Sequence, residues 1–315
     1  MKKIVFKFKS WYITELESDT ILSYVFVYNF EKLKNIYEDF KNWKVPFNIT
    51  NAFDKGSIIR PFYMSKDEKK DNSNNEFEEF LNNLVDEVDR KKIKKLWFIP
   101  LDTNILKLQL KDKTIEDQEE YNKKLWEISE KEESDKKNDK ISEFKNSIPR
   151  FYKGDTNPFA IEDVNYTNQE KVIYVKVYDE EKYNRFFESL KNTFETIWWW
   201  KWKSRWYGKI AYVKNETLDT KEIDFFDYLQ ELKKENKYIV LNNYKPSEND
   251  LQNIDIEKSF INLNHKHTKS LDNMPFKWKM SFISAWSVLT WENLKWDFYK
   301  AQLEDKESIN FWYLF

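Results

Sequence analysis

Glycine, cysteine and histidine are scarce in this 315-residue chain, which has 3 Gly, no Cys and 2 His. Without cysteine it can have no disulfide, no thiolate nucleophile and no zinc–thiolate centre. An average chain of this length contains about 22 glycines, because glycine usually makes up about 7% of residues. The shortage is unexpected, since glycine forms tight turns and helix ends that other residues enter at a cost.

Long apolar runs and an excess of one charge are also missing. No segment reaches the roughly eighteen uninterrupted apolar residues of a membrane span, and the N-terminal MKKIVFKFK alternates lysine with apolar residues instead of forming a secretory signal. The 53 basic and 55 acidic residues give a net charge of −2, so the protein has no overall basic field. These features predict a soluble cytoplasmic protein without membrane contact, and the length favours two domains.

Tryptophan, in contrast, is unusually abundant, with 14 residues. Five of them lie in one segment, WWWKWKSRWYGKI: Trp198, Trp199, Trp200, Trp202 and Trp206. Others stand where a turn normally uses glycine, such as Trp286 and Trp291 in SAWSVLTWEN. We therefore interpret many of these tryptophans as glycines in the native organism, encoded by UGA codons that the cell reads as glycine. The alternative is a genuine aromatic cluster.

Strand and helix patterns alternate through both halves of the chain. KVIYVKVY at 171–178 is typical of a strand, and the apolar spacing over 183–194 predicts a helix. Residues 111–146 are mostly charged or polar and predict a mobile or partly helical insertion. The element order predicts an α+β fold of two ferredoxin-like (RRM-like, βαββαβ) domains, residues 1–147 with the charged insertion and residues 148–315.

Few residues offer catalytic chemistry. His265 and His267 stand two positions apart in NLNHKHTKS, where they could share a strand face and transfer protons or hold a metal. A polar loop between strands is the simpler interpretation of the same pattern. The sequence contains no P-loop, HExxH motif or nucleophile elbow. It therefore predicts no metal site and no cofactor.

The segment 197–210 gives the clearest indication of binding. Cations and hydrogen-bonding groups occur there without any acidic residue: Lys201, Lys203, Ser204, Arg205, Tyr207, Gly208 and Lys209. If the tryptophans are glycines, backbone amides can reach a phosphate, the cations add charge, and Tyr207 can stack on a base. If they are genuine, the segment is an aromatic and cationic patch suited to single-stranded bases or a protein partner. A solvated basic loop at the end of a helix is the structural alternative.

Several short motifs follow one another along the chain in an order that can be compared with known families. They are ESDTILSYVF, VPFNITNAFDKGSIIRPFYM, KKIKKLWFIPLD, IWWWKWKSRWYGKI, VLNNYKPSENDL, FISAWSVL and the final FWYLF. Their order resembles the RAMP superfamily of CRISPR-associated proteins, and more narrowly the fourth subunit of the Csm (type III-A) effector complex. IWWWKWKSRWYGKI matches the glycine-rich loop of the superfamily only if most of its tryptophans are glycines. Ile59 to Phe62 and Ala285 depart from the family pattern.

The resemblance implies a non-catalytic subunit that holds the 5′ handle of the guide RNA (crRNA). It also implies contacts with the large polymerase-like subunit and with the neighbouring backbone RAMP subunit. Carried over by motif, the residues that face the handle are Lys201, Lys203, Ser204, Arg205, Tyr207, Gly208 and Lys209, with Arg60 and Arg150 as further candidates.

Three alternatives stay open at this point. The chain could be a guide-processing endoribonuclease of the same superfamily that uses His265 or His267. It could be the counterpart subunit of the related Cmr complex. If every tryptophan is genuine, it could be an aromatic binding module for glycans or for another protein.

Overall fold

Helices and antiparallel strands are mixed along the chain, so the predicted α+β class is confirmed. The computed structural model describes residues 1–9, 16–42, 44–61, 98–110, 120–128, 140–147, 157–164, 170–196, 209–244, 246, 248–267, 279–291, 301–302 and 309–310. The helices are α1 (Ser18–Tyr28), α2 (Phe30–Lys41), α3 (Thr103–Leu110), α4 (Glu180–Thr196), α5 (Thr220–Lys234) and α6 (Glu248–Asn253), and residues 120–128 are also helical.

The strands of the first half are β1 (Lys2–Phe8), β2 (Phe47–Ile49), β3 (Phe53–Asp54), β4 (Ser57–Ile59), β5 (Phe98–Pro100) and β6 (Lys140–Ser147). Those of the second half are β7 (Asn157–Val164), β8 (Glu170–Val177), β9 (Ile210–Glu216), β10 (Lys237–Ile239), β11 (Leu263–His267), β12 (Lys279–Ile283), β13 (Val288–Thr290), β14 (Ala301–Gln302) and β15 (Ile309–Asn310).

The main sheet has the strand order β2–β8–β1–β9, and β3 also pairs with β8. All of these neighbours are antiparallel. Along the chain the unit reads β1, the α1–α2 pair, β2, β8, α4 and β9, which is a βαββαβ module. Its spatial order, second, third, first and fourth strand, is that of a ferredoxin-like domain. A second such domain stays a prediction.

The main sheet continues across the predicted division at 147/148. Ile4 of β1 pairs with Ile173 of β8 on one side and with Asn215 of β9 on the other. Residues 1–147 and 148–315 therefore contribute to one sheet. Local patterns could not indicate this, because partners separated by more than a hundred positions leave no periodic signal in the sequence between them.

One face of the main sheet packs against α1, α2 and α4. Its core cluster of buried side chains is aliphatic and aromatic, and the aromatic members include Phe6, Phe47, Phe186 and Phe194. The rings of Phe47 and Phe186 lie 4.5 Å apart between centroids, and those of Phe6 and Phe194 lie 5.4 Å apart edge to face. Burial of each such side chain contributes about 1.5–3 kcal/mol, so this face forms a substantial core.

The opposite face of the sheet is covered by segments from distant parts of the chain. Val5, Phe53 and Val172 of the sheet pack with α3, α5, residues 120–128 and residues 286–288. Tyr121 and Leu125 are buried there, so this part of the predicted charged insertion belongs to the core.

A buried ionic network fixes α5 to the main sheet. Lys3 Nζ lies 2.6 Å from a carboxylate oxygen of Glu222, and these side chains are 4% and 1% exposed. The Tyr174 hydroxyl donates to the other oxygen of Glu222 at 3.1 Å. Asp219 and Glu222 form a capping box at the start of α5 and so satisfy its first amides.

A smaller unit of β10 and β13 adjoins the second face, and its core contains Tyr238, Tyr244, Leu289 and Trp291. The hairpin of β11 and β12 follows in the chain. Among the helices that the structure describes, none is long and apolar enough to cross a membrane.

Candidate functional site

Most of the predicted RNA-contact residues lie outside the described residues. These are Lys201, Lys203, Ser204, Arg205, Tyr207, Gly208 and Arg150. Both flanks of the 197–208 segment are described, however, because α4 ends at Thr196 and β9 begins at Ile210. Lys209 and Arg60 are also described, so the structure places two of the nine candidates.

Lys209 is attached to the end of β1. Its carbonyl oxygen accepts a hydrogen bond from the Lys9 amide at 2.6 Å. The next residue, Ile210, pairs with Phe8, and both side chains are buried. The predicted loop therefore returns to the main sheet at a fixed point beside Lys9.

Positive charge gathers at this point of the sheet. We call the residues Lys7, Lys9, Lys209, Tyr212 and Lys214 the basic end. Lys9 and Lys214 are exposed, and the other three are half-buried. The Lys214 ammonium lies 4.8 Å from the centre of the Tyr212 ring. The basic end thus offers four cations beside an aromatic ring, in a protein whose net charge is −2.

Glu170 of β8 lies beside the basic end and is bound by neighbouring side chains. Glu170 pairs with Lys7 across the strands, accepts a hydrogen bond from the Tyr212 hydroxyl, and binds Lys55 at 2.7 Å. The hydrogen bonds from Lys55 and Tyr212 hold the pKa of Glu170 below its usual value. The hydrogen bond to Glu170 raises the pKa of Lys55 and, with help from burial, raises the pKa of Tyr212 to about 12.

These shifts define the charge states at neutral pH. Glu170 is ionised and paired with Lys55, whereas Tyr212 is a neutral hydrogen-bond donor. Lys55 binds Glu170 at 2.7 Å and also lies 3.8 Å from Glu216 on β9, so two carboxylates share this lysine beside the four lysines of the basic end. Such an arrangement can attract phosphate groups.

Arg60 lies at a different place. It follows β4, and its guanidinium carbon is 5.8 Å from the centre of the Tyr121 ring in the helical segment 120–128. The structure therefore associates Arg60 with the second face of the main sheet, whereas Lys209 lies beside β1.

The two histidines occupy alternate positions of β11. His265 is exposed, and its Nδ1 lies 2.9 Å from the Ser281 hydroxyl on β12. His267 pairs with Lys279 in the same hairpin. Within the described part of the chain, no group of three acidic or histidine side chains is arranged to hold a metal ion.

Lys7, Lys9, Tyr212 and Lys214 were not predicted from the sequence as neighbours of Lys209. A signal for them exists, because KFK at 7–9 and YVK at 212–214 both place polar residues two positions apart, as one face of a strand requires. What the sequence could not show is that β1 and β9 are adjacent.

No protein-family model matches the chain, and no curated protein matches its sequence. Solved structures do match. A chain in the crystal structure of the Csm3-Csm4 subcomplex of the type III-A CRISPR-Cas interference complex has a TM-score of 0.54 and 15% identity. That match covers 93% of both chains.

The chain shares this fold. The predicted resemblance to proteins of the Csm complex is thus confirmed at the level of the fold. Chains of the Csm1-Csm4 cassette in complex with cA4 and with pppApA are also similar, with TM-scores of 0.47 and identities of 11% and 12%. Those matches cover 100% of this chain and 95% of the other.

Proposed function

We propose that this protein is an RNA-binding, non-catalytic subunit of a type III-A CRISPR (Csm) effector complex. In this role it holds the 5′ handle of the crRNA and acts in antiviral defence in the cytoplasm. The observation that carries the proposal is the fold shared with a chain of the Csm3-Csm4 subcomplex over 93% of both chains. The order of the sequence motifs, from ESDTILSYVF to FWYLF, supports it independently.

The basic end supplies the physical means of holding an RNA strand. Lysines attract the phosphate backbone, and each phosphate neutralised releases bound counterions. The Lys9 amide donates to the Lys209 carbonyl at 2.6 Å, so these two lysines are neighbours at this end of the sheet. The cations predicted at Lys201, Lys203 and Arg205 precede Lys209 in the chain and extend the same positive surface in this proposal.

The chemistry of the basic end supports a role without catalysis. An RNA-cleaving site needs an acid and a base that exchange protons near neutral pH. Tyr212 holds its proton up to a pKa of about 12, and the Glu170 carboxylate is bound by Lys55 and Tyr212. This site can therefore position RNA, but its described groups do not form an acid/base pair.

Partners follow from the family resemblance. We propose that the chain contacts the large polymerase-like subunit and the neighbouring backbone RAMP subunit of the same complex. The Csm3-Csm4 subcomplex is itself an assembly of two subunits, which supports a place between subunits for this chain.

The RNA site can be tested by removing its cations. We expect Lys9→Gln, Lys203→Ala, Arg205→Ala and Lys209→Gln each to weaken binding of handle RNA and to reduce the salt slope by about 0.7 per lost phosphate contact. Salt-dependent binding to a labelled crRNA measures both. Lys258→Gln is the matched control, since Lys258 is half-exposed and pairs with Asp255 at 2.8 Å outside the basic end. Unchanged binding in all four variants would contradict the site.

A cleavage assay on repeat RNA separates the subunit from a guide-processing enzyme. The proposal predicts no cleavage product from the purified protein. A product that disappears in His265→Ala or His267→Ala would instead identify an endoribonuclease that uses the β11 hairpin.

A further inference from the structure

The turn at residues 284–287 has a backbone that suits glycine but contains a tryptophan. The Ser287 amide donates to the Ser284 carbonyl at 3.3 Å, so Ala285 and Trp286 are the central residues of a β-turn. Trp286 has a φ of 71°. A type II turn has positive φ at its second central residue, and glycine normally occupies that position because it has no Cβ.

The chain uses tolerant residues at the other described positions of this kind. Positive φ occurs at Gly56, with 79°, and at Asn236, with 59°. Asparagine enters the left-handed region more readily than most side chains, and glycine enters it freely. A bulky aromatic residue there is a genuine outlier. Trp286 is therefore the one exception among the positive-φ residues that the structure describes.

The turn is held on both sides and cannot relax its backbone easily. The Trp286 amide donates to the Val240 carbonyl at 2.5 Å, and the Val240 amide donates to the Ser287 carbonyl at 2.9 Å. These hydrogen bonds join the turn to the segment after β10. The positive φ thus belongs to a backbone that hydrogen bonds hold on both sides of the turn.

The side chain of Trp286 also fits its surroundings poorly. It is only 2% exposed, and its indole Nε1 is buried without a hydrogen-bond partner. A buried indole N–H usually finds an acceptor, because leaving it unpaired has an energetic cost. Its ring packs edge to face against Phe53, with centroids 5.2 Å apart. The apolar contact is favourable, but the polar atom is not satisfied.

The two other described tryptophans do not share these features. Trp126 lies within the helical segment 120–128 and is 41% exposed. Trp291 is 3% exposed in the β10–β13 unit, and its φ is outside the left-handed region. Both backbones suit a side chain, and glycine inside a helix would be unfavourable at position 126. The anomaly is therefore specific to position 286.

We propose that the cell inserts glycine at position 286, because the codon there is UGA and is read as glycine. The backbone of the turn and the composition of 3 Gly and 14 Trp support this assignment independently of each other. The same decoding would make the segment 198–206 rich in glycine, which would let its backbone amides approach a phosphate. The inference does not depend on RNA binding.

Mass spectrometry of the protein from its native cells tests the proposal. Trypsin releases the peptide MSFISAWSVLTWENLK, residues 280–295, which contains position 286. We expect glycine at 286, and tryptophan at 126 in the peptide LWEISEK as the internal control. Tryptophan at 286, or a UGG codon there, would overturn the proposal. RNA binding plays no part in this readout, so the two proposals can fail separately.

Recombinant variants test the backbone requirement itself. Trp286→Gly and Trp286→Ala remove the same ring contacts, but only glycine relieves the positive φ. We expect the unfolding temperature of Trp286→Gly to exceed that of Trp286→Ala by about 2–4 °C. At position 291 we expect the reverse, with a higher unfolding temperature for Trp291→Ala than for Trp291→Gly. Equal or lower stability of Trp286→Gly relative to Trp286→Ala would contradict the proposal.

Discussion

The two faces of the main sheet are built differently. The helix face is covered by α1, α2 and α4, whose apolar side chains form one core cluster with those of the strands. The second face collects segments from residue 53 to residue 288 and includes the buried Lys3–Glu222 ion pair. Both faces have apolar cores, but the most deeply buried ion pair lies on the second face: Lys3 and Glu222 are 4% and 1% exposed, against 10% and 16% for Lys171 and Asp54.

This difference has energetic consequences. A buried ion pair adds little net stability, because taking both charges out of water costs about as much as their attraction returns. Loss of one partner is different, since the other charge then stays buried without compensation. The second face should therefore be far more sensitive to a small chemical change than the helix face.

The largest effect is expected for Glu222→Gln. Glutamine keeps the shape, but its single amide oxygen can accept either from the Asp219 amide or from the Tyr174 hydroxyl, and Lys3 loses its main partner. We expect a loss of about 3–5 kcal/mol in the free energy of unfolding, measured by urea denaturation.

The matched control for that loss is the double variant Lys3→Met with Glu222→Gln. It removes the unpaired charge, so it should regain most of the lost stability. A loss below about 1 kcal/mol in the single variant, or no recovery in the double variant, would break the distinction between the faces.

A smaller effect is expected from trimming the helix face. Ile36 of α2 is fully buried in the apolar core. Ile36→Val removes one methylene group and should cost about 1 kcal/mol in the same assay, since only a small cavity is left. Val27→Ala is the control, because Val27 is 74% exposed and its truncation should change stability little. A cost for Ile36→Val as large as that of Glu222→Gln would contradict the comparison.

The smallest effect concerns the surface pair Lys55–Glu170, whose side chains are 36% and 30% exposed. The folded pKa of Glu170 lies below its ordinary value of 4.5, so its contribution is present above that pH and is lost as pH falls through the folded pKa. The folded pKa of Lys55 lies above its ordinary 10.5, so its contribution is lost only as pH rises through the folded pKa.

Solvent screening limits this pair to about 0.2–1 kcal/mol. Urea denaturation of wild type and Glu170→Gln across the acid range measures it. We expect the difference between the two proteins to shrink as the pH falls below 4.5 and to disappear once the pH is below the folded pKa of Glu170. A difference that persists unchanged in acid would show that the contribution of Glu170 is not ionic.

The sequence predicted what local periodicity can encode. The strand near 171–178 and the helix over 183–194 are confirmed as β8 and α4, and the resemblance in motif order is confirmed for the fold. The sequence did not predict that β8 lies between β1 and β2, because this pairing joins segments more than a hundred residues apart. It also missed the burial of Tyr121 within a segment dominated by charge.

The candidate site also combines a residue that the local sequence predicted with residues that only the strand pairing brings together. Lys209 was found from the density of cations around it in the sequence. Lys7, Lys9 and Lys214 join it only because β1 and β9 are neighbours in the sheet. The sequence SAWSVL predicted a turn that normally uses glycine at position 286, and the structure has a positive φ there.

The most direct test of the proposed function is recovery of the native assembly. The protein is tagged in its own cells and purified at moderate salt, and its bound RNA is sequenced from the 5′ end. The account predicts crRNAs that begin with a common repeat-derived handle, together with a large polymerase-like subunit among the copurified proteins. Recovery of the chain with its partners but without crRNA, or of the chain alone, would contradict it.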